Sequence, residues 1–134
     1  MTAIALTIAG SDSSGGAGIE ADLKTFSALG VYGACIVTAV TAQNTKGVSA
    51  IHAVPADIVA AQIDAVFSDL KGGATKIGML VNASIVEAVG AALGRRASRN
   101  VVLDPILAAS TGAELLRADA LDALRLLIPK ARVF

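Results

Sequence analysis

The sequence predicts an α/β domain with a mainly parallel sheet covered by helices on both sides. Three observations carry that expectation. Short apolar runs without polar alternation recur along the chain, which is how strands buried on both faces read. Amphipathic stretches of helical period lie between them, with recognisable start and stop residues. The two alternate in order, and that order builds βαβ units.

The first apolar run is "AIALTIA" (3–9). It leads into "GSDSSGGAGIEADL" (10–23), a glycine-rich loop that opens a helix. Ile19, Leu23, Phe26 and Gly30 recur at helical spacing, and Gly30 suits the stop. "ACIVTAVTA" (34–42) reads as one second buried strand, rich in β-branched residues. "QNTKGV" (43–48) is turn chemistry and "SAIHAV" (49–54) a short strand. Pro55 can open the next helix, since its missing N–H would be unpaired there anyway. Val59, Ile63, Val66, Phe67 and Leu70 share its inner face, and "KGG" ends it. "ATKIGML" (74–80) is strand-like, and Asn82 is a good N-cap for a helix carrying Ile85, Val86, Val89 and Leu93. "NVVLDP" (100–105) is a further strand, stopped by Pro105. A loop with Gly112 precedes a last helix with Leu121, Leu124 and Ile128 on its face, and "ARVF" (131–134) reads as the start of another buried strand.

The 134 residues are enough for one domain, 1–134, with a proper core. The formal net charge is zero and no Lys/Arg run occurs, so nothing marks a nucleic-acid partner. No apolar run reaches the ~18 residues of a membrane span. The single Cys35 excludes an intrachain disulfide and fits a reducing compartment. With no basic leader at the start, a cytoplasmic location is expected. No His/Cys cluster suggests zinc.

In a parallel sheet, ligands sit outside the carboxyl ends of the strands. That rule selects Asp12, Gln43, Asn44, Gly78, Met79 and Asp104. The glycine loop fails two nucleotide readings. Residues 16–21 match G-x-G-x-x-A, but six residues separate strand from fingerprint, and the end of the second strand, "TAVTAQNTKGV", offers no acid before Asp57 to hold a ribose. A Walker loop needs Gly-Lys-Ser/Thr at the helix start, where this chain has Gly18-Ile19-Glu20.

Four segments, "IAGSDSSGGAGIEADLKTFSALGVYG", "TAVTAQNTKGV", "TKIGML" and "VVLDPI", occur in that order. Together they resemble the hydroxymethylpyrimidine/phosphomethylpyrimidine kinases of thiamine biosynthesis, in the ribokinase-like superfamily. The resemblance covers essentially the whole chain and corresponds to the amino-terminal half of the family. It implies a three-layer α/β/α fold, apparently truncated here. It also implies transfer of phosphate from Mg-ATP to 4-amino-5-hydroxymethyl-2-methylpyrimidine and then to its monophosphate, by a protein that is typically a dimer.

The resemblance also implies roles. Gln43 would read the pyrimidine, because its amide sets a donor beside an acceptor, complementary to a ring nitrogen next to an amino group. Asp22 would face the hydroxymethyl group, Met79 and Gly10 would pack on the ring, and Thr41 and Ile106 would complete the wall. Asp104 would act near magnesium through water. Each residue has a plainer reading. Asp22 in a first helical turn favours the dipole by ~0.3–1 kcal/mol. Gln43 can be a strand-end turn residue, Met79 core, Asp104 a strand terminator and Asp12 a loop cap. Lys76 can pair with a carboxylate.

The family's Asn-x-x-Glu segment, late glycine anion hole and catalytic base have no match in 1–134, so the catalytic residues are expected beyond Phe134. Two functions remain open: the substrate-binding half of a kinase, and a non-catalytic pyrimidine-binding or assembly module. Pyridoxal-type kinases share the superfamily. The chain alone is expected to show no kinase activity, since phosphoryl transfer rests on positioning and electrostatic stabilisation. Steady ADP production from hydroxymethylpyrimidine and Mg-ATP would contradict this.

Overall fold

The computed structural model describes residues 1–96 and 100–134. Four strands form one parallel sheet: β1 (Ile4–Ala9), β2 (Tyr32–Val37), β5 (Ala74–Ile77) and β6 (Val101–Leu103), in the order β2-β1-β5-β6. Two more strands, β3 (Ala39–Asn44) and β4 (Gly47–Ala53), make a separate antiparallel hairpin. Among the described residues, four α-helices complete the fold: α1 (Gly18–Ala28), α2 (Ala56–Asp69), α3 (Ala83–Arg96) and α4 (Leu121–Leu127). Among the described residues, no helix is long and apolar enough to cross a membrane.

Strand alternation sorts the layers. Ile8, Ile36, Ile77 and Leu103 point to one face, where they join Val59 and Ile63 of α2, Ile85, Val86 and Val89 of α3, and Leu124 and Leu127 of α4 in the main core. Thr7, Cys35, Lys76 and Val102 are in register across the sheet and point to the other face. There α1 covers β1 and β2, with Leu23 and Phe26 lying over Gly33. Val102, two strands away, is 42% exposed. The architecture is therefore three-layered, as expected, with the α1 layer covering half of its face.

Several local expectations hold for local reasons. The side chain of Asn82 accepts from Ile85 N at 3.0 Å and caps α3. Pro55 stands at the start of α2. Gly30 takes φ +71° just beyond α1, a left-handed conformation that glycine adopts without strain. Asn44 turns the hairpin by accepting from Lys46 N and Gly47 N at 2.9 and 3.2 Å.

Others need correction. The run 34–42 is two strands in two sheets. Thr38 makes the break: its N–H bonds Ala9 O, its carbonyl accepts from Val54 N, and its hydroxyl donates to Met79 O at 2.6 Å. These bonds bend the chain out of the parallel sheet without leaving a buried polar group unpaired. The 74–80 strand stops at Ile77: Gly78 N still bonds Ile8 O, and Met79 O then accepts from the Thr38 hydroxyl. Leu121 is 40% exposed, and Leu127 takes its place on the inner face of α4. Residues 131–134 are not a buried strand. They meet β6 through one parallel bridge, Val102 to Val133, and Val133 and Phe134 are exposed.

Helix α1 packs closely on the sheet at Gly33. A Cβ there would stand 2.8 Å from Leu23 Cδ2 and 2.9 Å from Phe26 Cδ2. Gly33→Ala is expected to cost about 1–3 kcal/mol by overpacking. The measurement is urea unfolding. A lower midpoint with unchanged slope supports this contact, and an unchanged midpoint refutes it.

Candidate functional site

The strand order creates the site. From β1 the chain moves outward to β2, then returns to the other side of β1 to form β5. The connections leaving β1 and β5 therefore diverge, with α1 on one face and α3 on the other. Such a switch point opens a crevice beyond the carboxyl ends of the strands. A cavity of about 310 Å³ lies there, lined by Gly10, Ser11 and Asp12 after β1 and by Met79 after β5. Gln43 from the hairpin, Ile106 after β6 and the segment 108–110 also line it.

The glycine loop (10–17) is organised by one carboxylate. Asp12 is 3% exposed. Its Oδ1 accepts from Ser14 N and Ser14 Oγ at 2.8 and 2.7 Å, and its Oδ2 from Gly16 N and Ala17 N at 3.0 and 2.9 Å. Burial pushes its carboxyl pKa up. The Ser14 hydroxyl and the N–H groups of Ser14, Gly16 and Ala17 together outweigh burial and hold it below the usual value of 3.8. Glu20, in the first turn of α1, accepts from Asp12 N at 2.8 Å. Ile19 N then bonds Gly10 O at 3.0 Å and closes the loop on its own start. Gly18 allows that closure: its φ is +57°, and a Cβ there would lie 2.3 Å from Gly10 O. Asp12 is thus the loop's cap.

Two serines of the loop hold β3. Ser11 N bonds Ala39 O, Ser11 Oγ accepts from Thr41 N, and Thr41 Oγ1 donates to Ser11 O at 2.8 Å. Ser13 Oγ accepts from Gln43 N at 2.8 Å and donates to Gln43 O at 2.5 Å. The loop in effect extends the hairpin by a strand. Ala39, Thr41 and Gln43 share the inward face of β3, whereas Val40 is 54% exposed. A bulge between Ala42 and Gln43 sits beside the site. The Gln43 side-chain amide keeps one long contact, Thr41 Oγ1 to Oε1 at 3.4 Å, among the described residues. Its donors and acceptor are therefore available to the cavity.

Gly10 and Met79 meet across the floor. A Cβ at Gly10 would stand 3.0 Å from Met79 Sδ, so a side chain at 10 would displace the thioether. The opposite wall is a small β-turn structure, 107–115, closed by the Ala108–Glu114 bridge and by Gly112 at φ +91°. The position of a Cβ on Gly47, at the hairpin turn, lies 3.9 Å from Thr111 Oγ1. Hairpin and wall approach each other there.

Of the residues singled out from sequence, Gly10, Gln43, Met79 and Ile106 line one cavity, and Thr41 stands behind it against Ser11. Asp22 does not line it. It lies beyond the first turn of α1, which belongs to Glu20, and its Oδ2 accepts from Thr7 Oγ1 at 2.6 Å and Lys76 Nζ at 2.9 Å. Asp104 is exposed at the end of β6 and outside the lining. His52 is exposed on β4, and Cys35 is half-buried, its thiol pKa pushed up by burial and by Glu20. No group of three metal-ligating residues occurs among the described residues. A larger groove, about 460 Å³, runs between α3 and α4, but it carries none of these residues and lies away from the strand ends. Convergent polar groups at the switch point favour the smaller cavity. The sequence reading missed Ser11, Ser13 and Ser110. The alternation of serines with Asp12 in "GSDSS" was the available signal, and pairing to a hairpin 30 residues away was not.

A carboxylate more acidic in the folded than the unfolded chain stabilises the fold above its unfolded pKa. That contribution is lost as pH falls through the folded value. Asp12→Asn is therefore expected to lower stability at pH 7 and to flatten its decline below about pH 4. Thermal unfolding from pH 3 to 7 reads this, and parallel curves for the two proteins would refute it.

The comparisons agree with the geometry. A family model described as Phosphomethylpyrimidine kinase matches residues 12–134. A Hydroxymethylpyrimidine/phosphomethylpyrimidine kinase of Rhizobium meliloti (strain 1021) is 60% identical over 124 residues, which are 92% of this chain and 46% of that protein. A crystal structure of phosphomethylpyrimidine kinase from Clostridium difficile 630 superposes with TM-score 0.90 at 47% identity, covering 97% of this chain and 57% of its own. A Bacillus subtilis pyridoxal kinase, solved as an ADP complex, gives TM-score 0.83 at 35% identity, covering 98% of this chain and 48% of its own. The chain spans about half the length of the curated relatives it matches. With its switch-point cavity, its glycine loop and a family match over nearly all its length, this chain belongs to the phosphomethylpyrimidine kinase family.

Proposed function

We propose that this chain forms the pyrimidine-binding part of a kinase that phosphorylates 4-amino-5-hydroxymethyl-2-methylpyrimidine and its monophosphate with Mg-ATP. One observation carries the reading. The available amide of Gln43 faces the same 310 Å³ cavity as the flat floor made by Gly10 and Met79. A planar ring fits between floor and wall, and the amide offers the donor–acceptor pair that an aminopyrimidine edge complements. Ile106 closes the apolar side, and Thr41 steadies β3 behind Gln43.

Magnesium typically binds through one or two carboxylates plus the phosphates of its nucleotide. Asp104 offers one exposed carboxylate at a strand end, which suits a contact through water. The metal-nucleotide supplies the phosphoryl group, while this chain's residues bind and orient its acceptor. A cytoplasmic homodimer belongs to the same reading, with sedimentation as its check.

Structural likeness to pyridoxal kinases supports a second reading, a pyridoxal-type substrate. The Gln43 amide favours the aminopyrimidine, since the ring of pyridoxal bears no amino group. Calorimetric titration separates the readings. The folded chain is expected to bind the hydroxymethylpyrimidine more tightly than pyridoxal. Gln43→Ala should weaken the pyrimidine about 10- to 100-fold by leaving polar groups unpaired. Absence of binding by the folded chain, or an unchanged Gln43→Ala variant, would overturn the proposal.

A further inference from the structure

We propose that Lys76 is the phosphate-recognising cation of this site, the group that separates the monophosphate substrate from the free alcohol. The inference rests on the pyrimidine reading above and adds a residue which that reading leaves without a role.

The cavity lining contains no Lys, Arg or His. Its one charged residue is Asp12, an anion whose two oxygens are already taken by the glycine loop. A phosphorylated ligand there needs a cation from just behind the lining, and Lys76 supplies it. Its side chain leaves β5 on the α1 face, and its Nζ turns toward the carboxyl end of the strand. The Cβ position of Gly78 lies 3.1 Å from Lys76 Nζ, 3.1 Å from Ala9 Cβ and 3.7 Å from Ile106 Cδ1. Nζ, the end of β1 and the Ile106 wall thus surround one spot, which the missing side chain of Gly78 leaves clear.

Lys76 is also held and accessible. Asp22 Oδ2 anchors its Nζ at 2.9 Å, and Thr7 Oγ1 fixes the same carboxylate oxygen. An ammonium has three donors. Asp22 is its one hydrogen-bond partner among the described residues, so two donors remain for phosphate oxygens. The side chain is 23% exposed. Asp22 then acts as a positioning residue, which places it near the phosphorylated carbon without touching the cavity.

The other cations are placed differently. Lys24 Nζ donates to Gly15 O beside the loop. Lys46 is exposed in the hairpin turn. Arg117 lines a separate cavity with Ile51 and Glu114. A plain structural pair pinning α1 to the sheet predicts no ligand-dependent effect, so the ligands themselves are the probe.

The test is calorimetric titration of the chain with the hydroxymethylpyrimidine and, separately, with its monophosphate. Lys76→Met, Lys76→Arg and Lys24→Met are compared with the unmodified protein, each checked by circular dichroism. Lys76→Met should weaken the monophosphate at least tenfold and the alcohol less than twofold, and Lys76→Arg should restore most of the loss. Equal weakening of both ligands, or a phosphate-specific loss in Lys24→Met alone, overturns the role of Lys76 and leaves the pyrimidine reading standing. If Lys76→Met does not fold, a Lys76→Arg variant with monophosphate affinity no better than a lysine-independent site would show, insensitive to salt, overturns it as well. Failure of the unmodified folded chain to bind either ligand overturns both.

Discussion

The buried carboxylate of Asp12 is the interaction on which the site depends. Four donors converge on its two oxygens, and three of them are backbone N–H groups of one short loop. Left without those donors at 3% exposure, the Asp12 carboxylate would carry a desolvation cost of at least ~1–3 kcal/mol. Together the four bonds curl residues 12–17 into a fixed turn and deliver the chain to α1 at the angle that Ile19 N needs to reach Gly10 O. The same fixed turn presents Ser11 and Ser13 to β3. Gln43 is thus held through its backbone by a loop 30 residues earlier, and its side chain stays available.

A second constraint sits one level up, in topology. β1 is the pivot of the sheet: β2 lies on one side, and β5 and β6 on the other. The chain opens there, and the glycine loop fills one lip while Met79 forms the floor. Thr38 links the levels. It ends β2 against Ala9, bonds Met79 through its hydroxyl, and starts the hairpin that carries Gln43. Its 0% exposure marks it as a buried polar joint with every group paired.

The two sheet faces are unequal. One packs against α2, α3 and α4 and holds the main core. The other is covered by α1 over β1 and β2, where the Thr7–Asp22–Lys76 network lies beside the apolar contacts of Leu23 and Phe26. A partly buried ion pair is weak evidence of stability, because desolvation offsets much of its attraction. Its place beside the cavity, behind a glycine, fits a functional use better than a stabilising one.

Much of the fold was legible because its causes are local. Asn82 caps α3 with its own side chain, Pro55 opens α2, and Asn44 folds the hairpin turn. The apolar faces of α2 and α3 follow helical period wherever they pack. The candidate residues Gly10, Gln43, Met79 and Ile106 were legible by motif and by the rule of strand ends. The division of 34–42 was not, since Thr38 stands in a β-branched run with no turn residue and only its distant partners bend it. The pairing of Asp22 with Lys76 was not legible for a like reason: neither helix period nor strand alternation says which facing residue, 54 positions away, will meet a side chain. Propensity, caps and periodicity act over a few residues, so the sequence settled the elements and their inner faces. Strand order, the stitching of loop to hairpin and the neighbours of Lys76 arise from contacts between distant segments, and packing alone decided them.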